Sequence, residues 1–472
     1  MRFRPMKPLT QQSAVESLKL LRAGTISALE LADEYIAQIE RLNPELNALV
    51  DFDAARVREQ VRGAERLAER GPLFGLPVTV KASIATAGYR CEIGSLINRG
   101  SIPTEDATVV ARLKAAGVTI LGITNTPEFL MAYETDNLLH GRSSNPWNLD
   151  YSPGGSSGGE SAAIAAGMSA GGLGSDSGGS VRVPAHFTGI CSMKPTPGRI
   201  PGRGHLPPCV GPFAILGVIG PMARTIDDVA LLFEVLSGQD RGDPVSPPVA
   251  LRKYSFDELK RLPIGYFEDD GLTPVTTETH QAVQAAVHVL RAQGFDVRPF
   301  RPKGLEQARK LWWTFFVRCG ALFFAPTIRG HEDKLSSIFR EYLGFSANDP
   351  PLTGDELLTA WAECDVIRGK LLQQMREFPV LLCPVCSVPA FRHGERSWTI
   401  DGQQVACLDV MRYAQWFNLL AAPAAVVPVG QSPEGLPIGV QVVAQPFEDE
   451  IALGVASVID REFGYRVPPM AE

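Results

Sequence analysis

Ten of the 27 residues from Gly154 to Ser180 are glycine, whereas glycine contributes 45 of the 472 residues in the whole chain. Glycine enters left-handed conformations freely and lets main chain approach main chain, but it weakens regular elements. The segment is therefore predicted to be a pair of backbone-dominated loops flanking an Ala-rich helix over residues 161–169. Any fold open to this chain must be arranged around a point where amides and carbonyls, rather than large side chains, meet.

The flanking sequence tells what surrounds that point. Residues 12–22 and 27–42 repeat apolar side chains at spacings of three and four, and residues 54–70 follow with heavy charge. A helical segment over residues 1–72, packed on the outside of a sheet, is expected. From residue 73 the texture changes to short apolar runs between glycine and proline, which predicts a strand at 76–80, a helix at 108–116 and a strand at 118–123. Thr225 and Asp228 resemble a capping box opening a helix that stops at Gly238. After a Pro-rich connection at 239–254, strand, helix and strand resume at 263–267, 276–292 and 295–300. Residues 305–377 are mainly helical, with Thr353 and Glu356 as a second capping box. Strands at 380–383, 424–429 and 438–443 and a helix at 450–462 close the chain.

Composition narrows the partners. A net charge of -7 argues against nucleic acid, because phosphate binding needs a basic surface. With 45% hydrophobic and 21% charged residues, the chain reads as an ordinary soluble protein. Residues 1–16 carry Arg2, Arg4 and Lys7 but no apolar h-region, which argues against a secretory signal. The apolar stretch 311–328 is interrupted by Arg318 and Pro326 and falls short of the roughly 20 residues of a membrane span. A cytoplasmic protein with no integral membrane segment is expected. Its eight scattered cysteines are expected to be reduced.

Two segments and one lysine could carry chemistry. In Gly174-Ser175-Asp176-Ser177-Gly178-Gly179-Ser180, successive amides can converge on one anion, and Ser180 presents a hydroxyl beside them. A plain glycine turn is the competing reading. Ser156 lies in Gly154-Gly155-Ser156-Ser157-Gly158, which satisfies the G-x-S-x-G pattern, but no apolar strand precedes it, so a nucleophile elbow is refused. Lys81 closes the run Leu76-Pro77-Val78-Thr79-Val80, and burial there would lower its pKa towards that of a general base.

These three segments, in this order and with 24 residues from Ser156 to Ser180, resemble the amidase signature family. Supporting likeness runs through Gly122 to Phe129, Pro195 and Thr196, Gly220 to Ala223 and Leu436 to Gln441, and it is weak at residues 240–374. The resemblance implies an α/β fold: a single large domain over 1–472, with a mixed twisted sheet sandwiched by helices and residues 240–378 as a variable, mainly helical region on the substrate side. It also implies Ser180 as nucleophile, Ser156 as a bridging serine held through a cis peptide, and Lys81 as the base acting through Ser156. The amides of Ser177, Gly178, Gly179 and Ser180 would form the oxyanion hole, braced by Ser157, Asp176 and Arg182. Ala82 stands where many relatives have Asp, and Val183 where the glutamine-amidotransferase members usually have Gln, which leans away from that branch. Glu160 is seen in the branch that includes fatty acid amide hydrolase.

Cys383 and Cys386 have C-x-x-C spacing, but no second pair or histidine cluster completes a metal site, so neither metal nor cofactor is expected. The expected activity is hydrolysis of a carboxamide, or of a related aryl amide, ester or carbamate, by a monomer or homodimer. The aromatic-rich block around Trp312, Trp313, Phe315, Phe316, Phe323 and Phe324 favours an apolar or aryl small-molecule substrate. An amidotransferase-like component or a non-catalytic partner protein is the alternative. Incubation with EDTA should leave hydrolysis unchanged in a steady-state assay, and a large loss would reopen the reading of Cys383 and Cys386 as ligands.

Overall fold

The computed structural model describes residues 7–66 and 70–472; Arg2, Arg4 and residues 67–69 of the helix predicted for 54–70 lie outside the described residues. Most strands form where apolar, β-branched runs are bounded by glycine and proline, the glycine-rich strand Gly171–Asp176 being the main exception. The strands are β1 (Leu49–Phe52), β2 (Pro77–Lys81), β3 (Thr119–Thr124), β4 (Gly171–Asp176), β5 (Cys191–Lys194), β6 (Val218–Ala223) and β7 (Ile264–Tyr266). Then follow β8 (Val297–Pro299), β9 (Val380–Pro384), β10 (Ser397–Ile400), β11 (Gln403–Ala406), β12 (Ala424–Gln431) and β13 (Pro437–Ala444). Among the described residues, eleven strands join one sheet in the order β1-β3-β2-β4-β6-β5-β12-β13-β9-β7-β8, and β10 and β11 form a separate pair. The sheet is mixed: parallel across β3-β2-β4 and β9-β7-β8, antiparallel at the other junctions.

Helices cover both faces because the central strands are apolar on both. Successive side chains of a strand point to opposite faces. On β12, Ala425 and Val427 join the core shared with the helices Ile226–Leu236, Thr277–Ala292 and Asp449–Phe463. Val426, between them, joins a second core with Val183, Ala185 and Phe187 of the helix Arg182–Thr188 and with Ala414. This is the single α/β domain that the sequence predicts.

The glycine-rich segment departs from expectation. The helix begins earlier than predicted, at Gly158–Ala165, and residues predicted as loop form β4, a fully buried strand between β2 and β6. The reason is clearance. A Cβ on Gly172 would drive into the Glu160 carboxyl and the Thr79 carbonyl, and one on Gly174 would stand 2.7 Å from Met222 Sδ and 2.8 Å from Ser157 Oγ. Glycine marks here not a turn but a strand on which a helix lies directly. The short strands β1, β5 and β6 and the β10–β11 hairpin were likewise not predicted; β6 carries Gly220 and Pro221 inside it.

The apolar stretch predicted at 311–328 also extends further than expected. The helix starts at Leu305 and runs 24 residues to Ile328, long and apolar enough by length and composition to cross a bilayer. It passes through a π-helical stretch, Trp313–Arg318, and buries Trp312, Phe315, Val317 and Phe324 against the rest of the domain. Gly172→Ala should destabilise the fold by about 1–3 kcal/mol through overpacking. A denaturant melt that left the midpoint unchanged would refute this account of β4.

Candidate active site

Lys81 is the last residue of β2 and is fully buried. Its Nζ lies 2.7 Å from Ser156 Oγ, 2.9 Å from Ser157 Oγ and 3.0 Å from Ser175 Oγ. Burial pushes the ammonium down to about 7, against the pull of the negative charges of Asp176 and Glu160. Three hydroxyls satisfy its hydrogen bonds without holding its proton. Ser157 Oγ donates onward to the Ser175 carbonyl at 3.3 Å, so it faces Lys81 as an acceptor. A neutral amine has two N–H donors and one lone pair. With Ser157 and Ser175 accepting, the lone pair is left for the Ser156 hydroxyl.

Ser156 follows a cis peptide bond from Gly155. Its carbonyl accepts from Thr126 Oγ1 at 2.8 Å, and the Gly154 carbonyl accepts from Thr135 Oγ1 at 2.9 Å. The Ser157 amide donates to the Ser180 carbonyl at 3.2 Å, which fastens the two glycine-rich loops together.

The second loop is aimed by its carbonyls. Trp312 Nε1 donates to the Ser177 carbonyl at 3.0 Å, Tyr133 Oη to that of Gly178 at 2.7 Å, and the Val183 amide to that of Gly179 at 2.7 Å. In a trans peptide the N–H points away from the preceding carbonyl. The amides of Ser177, Gly178 and Ser180 find no acceptor among the described residues. The amide of Gly179, also expected in the oxyanion hole, instead donates to Asp176 Oδ1 at 2.8 Å. Gly179 has φ of 123°, outside the range of most side-chain-bearing residues.

Asp176 anchors this loop. Arg182 grips its carboxylate through Nε at 3.1 Å and Nη2 at 3.0 Å, with both side chains fully buried. Asn418 Nδ2 and the Val181 amide add bonds of 2.9 and 3.1 Å. Burial alone would raise the Asp176 carboxyl, but the Arg182 charge and these donors hold it well below the usual carboxylate range. Arg182 continues to Gln441 on β13 and to Asn418.

Ser180 opens onto two cavities. One, of about 620 Å³, is lined by Met131, Tyr133, Phe316, Val317, Ile338, Tyr342, Phe345, Phe391 and Leu408, with Glu134, Glu341 and Arg396 among its polar residues. The other, of about 440 Å³, is lined by Ser156, Ser175, Ser177, His205, Cys209, Phe213, Phe316, Phe323 and Phe324. Lys81, Ser156, Ser157, Asp176, Ser177, Ser180 and Arg182 are thus brought together. Sequence reasoning missed Ser175, Thr79, Thr124, Asn418 and Gln441; Ser175 lies inside the glycine-rich motif and two residues from Leu173 on β4, so reading β4 as a strand is the signal that finds it. Glu160, noted only as a branch feature, is fully buried under the site, bonded to the hydroxyls of Thr79 and Thr124. Cys383 and Cys386 are both buried but sit in different cores, and burial pushes the Cys386 thiol up to about 12.

A buried lysine among serines, with amides that lack an acceptor beside a serine lining a cavity, is an arrangement that can support nucleophilic catalysis by a hydroxyl. The chain belongs to the amidase signature family: residues 30–453 match the family model described as Amidase. It is 32% identical over 495 residues to a component of the glutamyl-tRNA(Gln) amidotransferase of Roseiflexus castenholzii, covering 99% of each chain. It is 30% identical over 504 residues to fatty-acid amide hydrolase 2 of Homo sapiens, covering 98% of this chain and 91% of the relative. The structure of 6-aminohexanoate cyclic dimer hydrolase complexed with substrate superposes with a TM-score of 0.86 at 28% identity, covering 98% of this chain and 100% of that one. Members of the family hydrolyse C–N amide bonds.

Asp176→Asn would leave the Arg182 charge buried and uncompensated, so it should destabilise the protein by about 3–5 kcal/mol. A thermal melt within error of wild type would contradict the anchoring role of this pair.

Proposed function

We propose that this chain hydrolyses a carboxamide, or a related aryl amide, ester or carbamate, through an acyl-enzyme on Ser180, with Lys81 as base acting through Ser156. The observation that carries the reading is Lys81 Nζ at 2.7 Å from Ser156 Oγ, in a cluster where burial favours the neutral amine. Ser180 attacks the carbonyl carbon while its proton passes to Ser156 and that of Ser156 to Lys81. The oxyanion is received by the amides of Ser177, Gly178 and Ser180, while Gly179 holds the loop to Asp176. As the tetrahedral intermediate collapses, Lys81 returns the proton through Ser156 to the leaving nitrogen, and the amine departs. Water then attacks acyl-Ser180 by the same relay and releases the acid.

The cavities divide the substrate. Ser156 lines only the smaller of the two, so the leaving amine belongs there, within reach of the returning proton. The acyl side then occupies the larger, aromatic-walled cavity, whose walls support an apolar or aryl group, and residues 240–378 supply much of that wall. The similarity to an amidotransferase component keeps a partner-dependent role as the second reading. Purified protein that turns over p-nitroanilides without a partner separates the two.

Ser180→Ala should abolish turnover and labelling by a fluorophosphonate. Lys81→Ala should slow anilides by about 10²–10⁴-fold but p-nitrophenyl esters less, since their leaving group needs no proton. Ser156→Ala should fall between. The wild-type rate should rise with pH through about 7, as Lys81 loses its proton, and level off above it. Equal anilide rates for Lys81→Ala and wild type, or a label on another serine, would remove the assignment.

A further inference from the structure

Three ionisable side chains surround Lys81 from the elements packed on it: Asp176 at the end of β4, Glu160 on the helix Gly158–Ala165, and His205 on the loop between β5 and β6. Two of them hold one charge state. Asp176 is clamped as an anion by Arg182, Asn418 and two loop amides. His205 has Nδ1 against the Pro207 carbonyl at 2.8 Å and is buried, which lowers it to about 4 and keeps it neutral.

Glu160 is built differently. Its two oxygens meet only the hydroxyls of Thr79 and Thr124, with no lysine or arginine in hydrogen-bonding reach among the described residues. A hydroxyl donates to a carboxylate and accepts from a carboxylic acid, so both forms of Glu160 keep their partners. Thr79 stands two residues before Lys81 on β2, on the same face of the strand. Both Glu160 and Lys81 are shut off from solvent.

We propose that Glu160 is a positioning residue that acts through Lys81: by gaining or losing its own proton it sets the pH at which Lys81 becomes a free base. The inference rests on the catalytic reading above. The pairs Lys81-NH₃⁺ with carboxylate and Lys81-NH₂ with carboxylic acid carry the same net charge, so the base is freed without isolating a charge in the interior. Burial lifts the Glu160 carboxyl to about 7, the range in which Lys81 titrates, so the two titrate as one coupled system.

The test follows the rate at which a fluorophosphonate labels Ser180 across the neutral pH range, which needs no knowledge of the substrate. In wild type the rate should rise over two proton losses. In Glu160→Gln, which keeps the size and can still bond both threonines, it should rise over one, with the midpoint lower by on the order of one pH unit. Thr124→Val removes one hydroxyl supporting the carboxylate and should shift the midpoint the same way by less; should Glu160→Gln fail to fold, this variant decides alone. An unmoved midpoint, or slower labelling at every pH around the wild-type midpoint, would overturn the proposal and leave the catalytic reading standing. No label on wild-type Ser180 would overturn both.

Discussion

The ion pair between Asp176 and Arg182 is the interaction on which the geometry of the site depends. An ionised carboxylate and a guanidinium without solvent are tolerated only when nearly every donor and acceptor is matched. That requirement reaches far along the chain. Asn418 comes from the helix Arg412–Leu419, Gln441 from β13, and the Gly179 and Val181 amides from the loop itself. Because each of these is committed to the pair, the loop is tied down at several points, and the amides of Ser177, Gly178 and Ser180 are left without an acceptor among the described residues.

Lys81 is the opposite solution to the same problem of a buried cation. Arg182 is bonded to the Asp176 carboxylate and to Asn418 and Gln441, whereas Lys81 touches three serine hydroxyls and no carboxylate. Hydroxyls satisfy an amine in either protonation state, so burial shifts Lys81 towards the neutral form. One site thus contains a buried cation paired to a carboxylate and a buried amine bonded to hydroxyls.

Much of this was legible in the residues. Apolar runs between glycines and prolines announced an α/β chain, and the resemblance of the segments around Lys81, Ser156 and Ser180 to the amidase signature family singled out the cluster. β4 was not legible, because glycine is the residue that most strongly signals a turn, and only the helix lying on the strand explains why Gly172 and Gly174 must lack a Cβ. The partners of the Asp176–Arg182 pair were hidden for another reason: Asn418, which bonds both, and Gln441, which bonds Arg182, are more than two hundred residues away, and an amide side chain carries no local pattern that reveals a distant ion pair. The amide of Gly179 was counted with its neighbours since backbone direction is invisible to sequence.

Phe316 faces both cavities, and its ring stacks on Trp312 at 4.6 Å, whose indole in turn holds the Ser177 carbonyl. The cavity wall and the loop that carries Ser177 are therefore one mechanical unit at this point. Ile338 and Phe345 stand elsewhere on the same wall. A change at Phe316 that reshapes the wall would also move the Trp312 indole and the Ser177 carbonyl it holds.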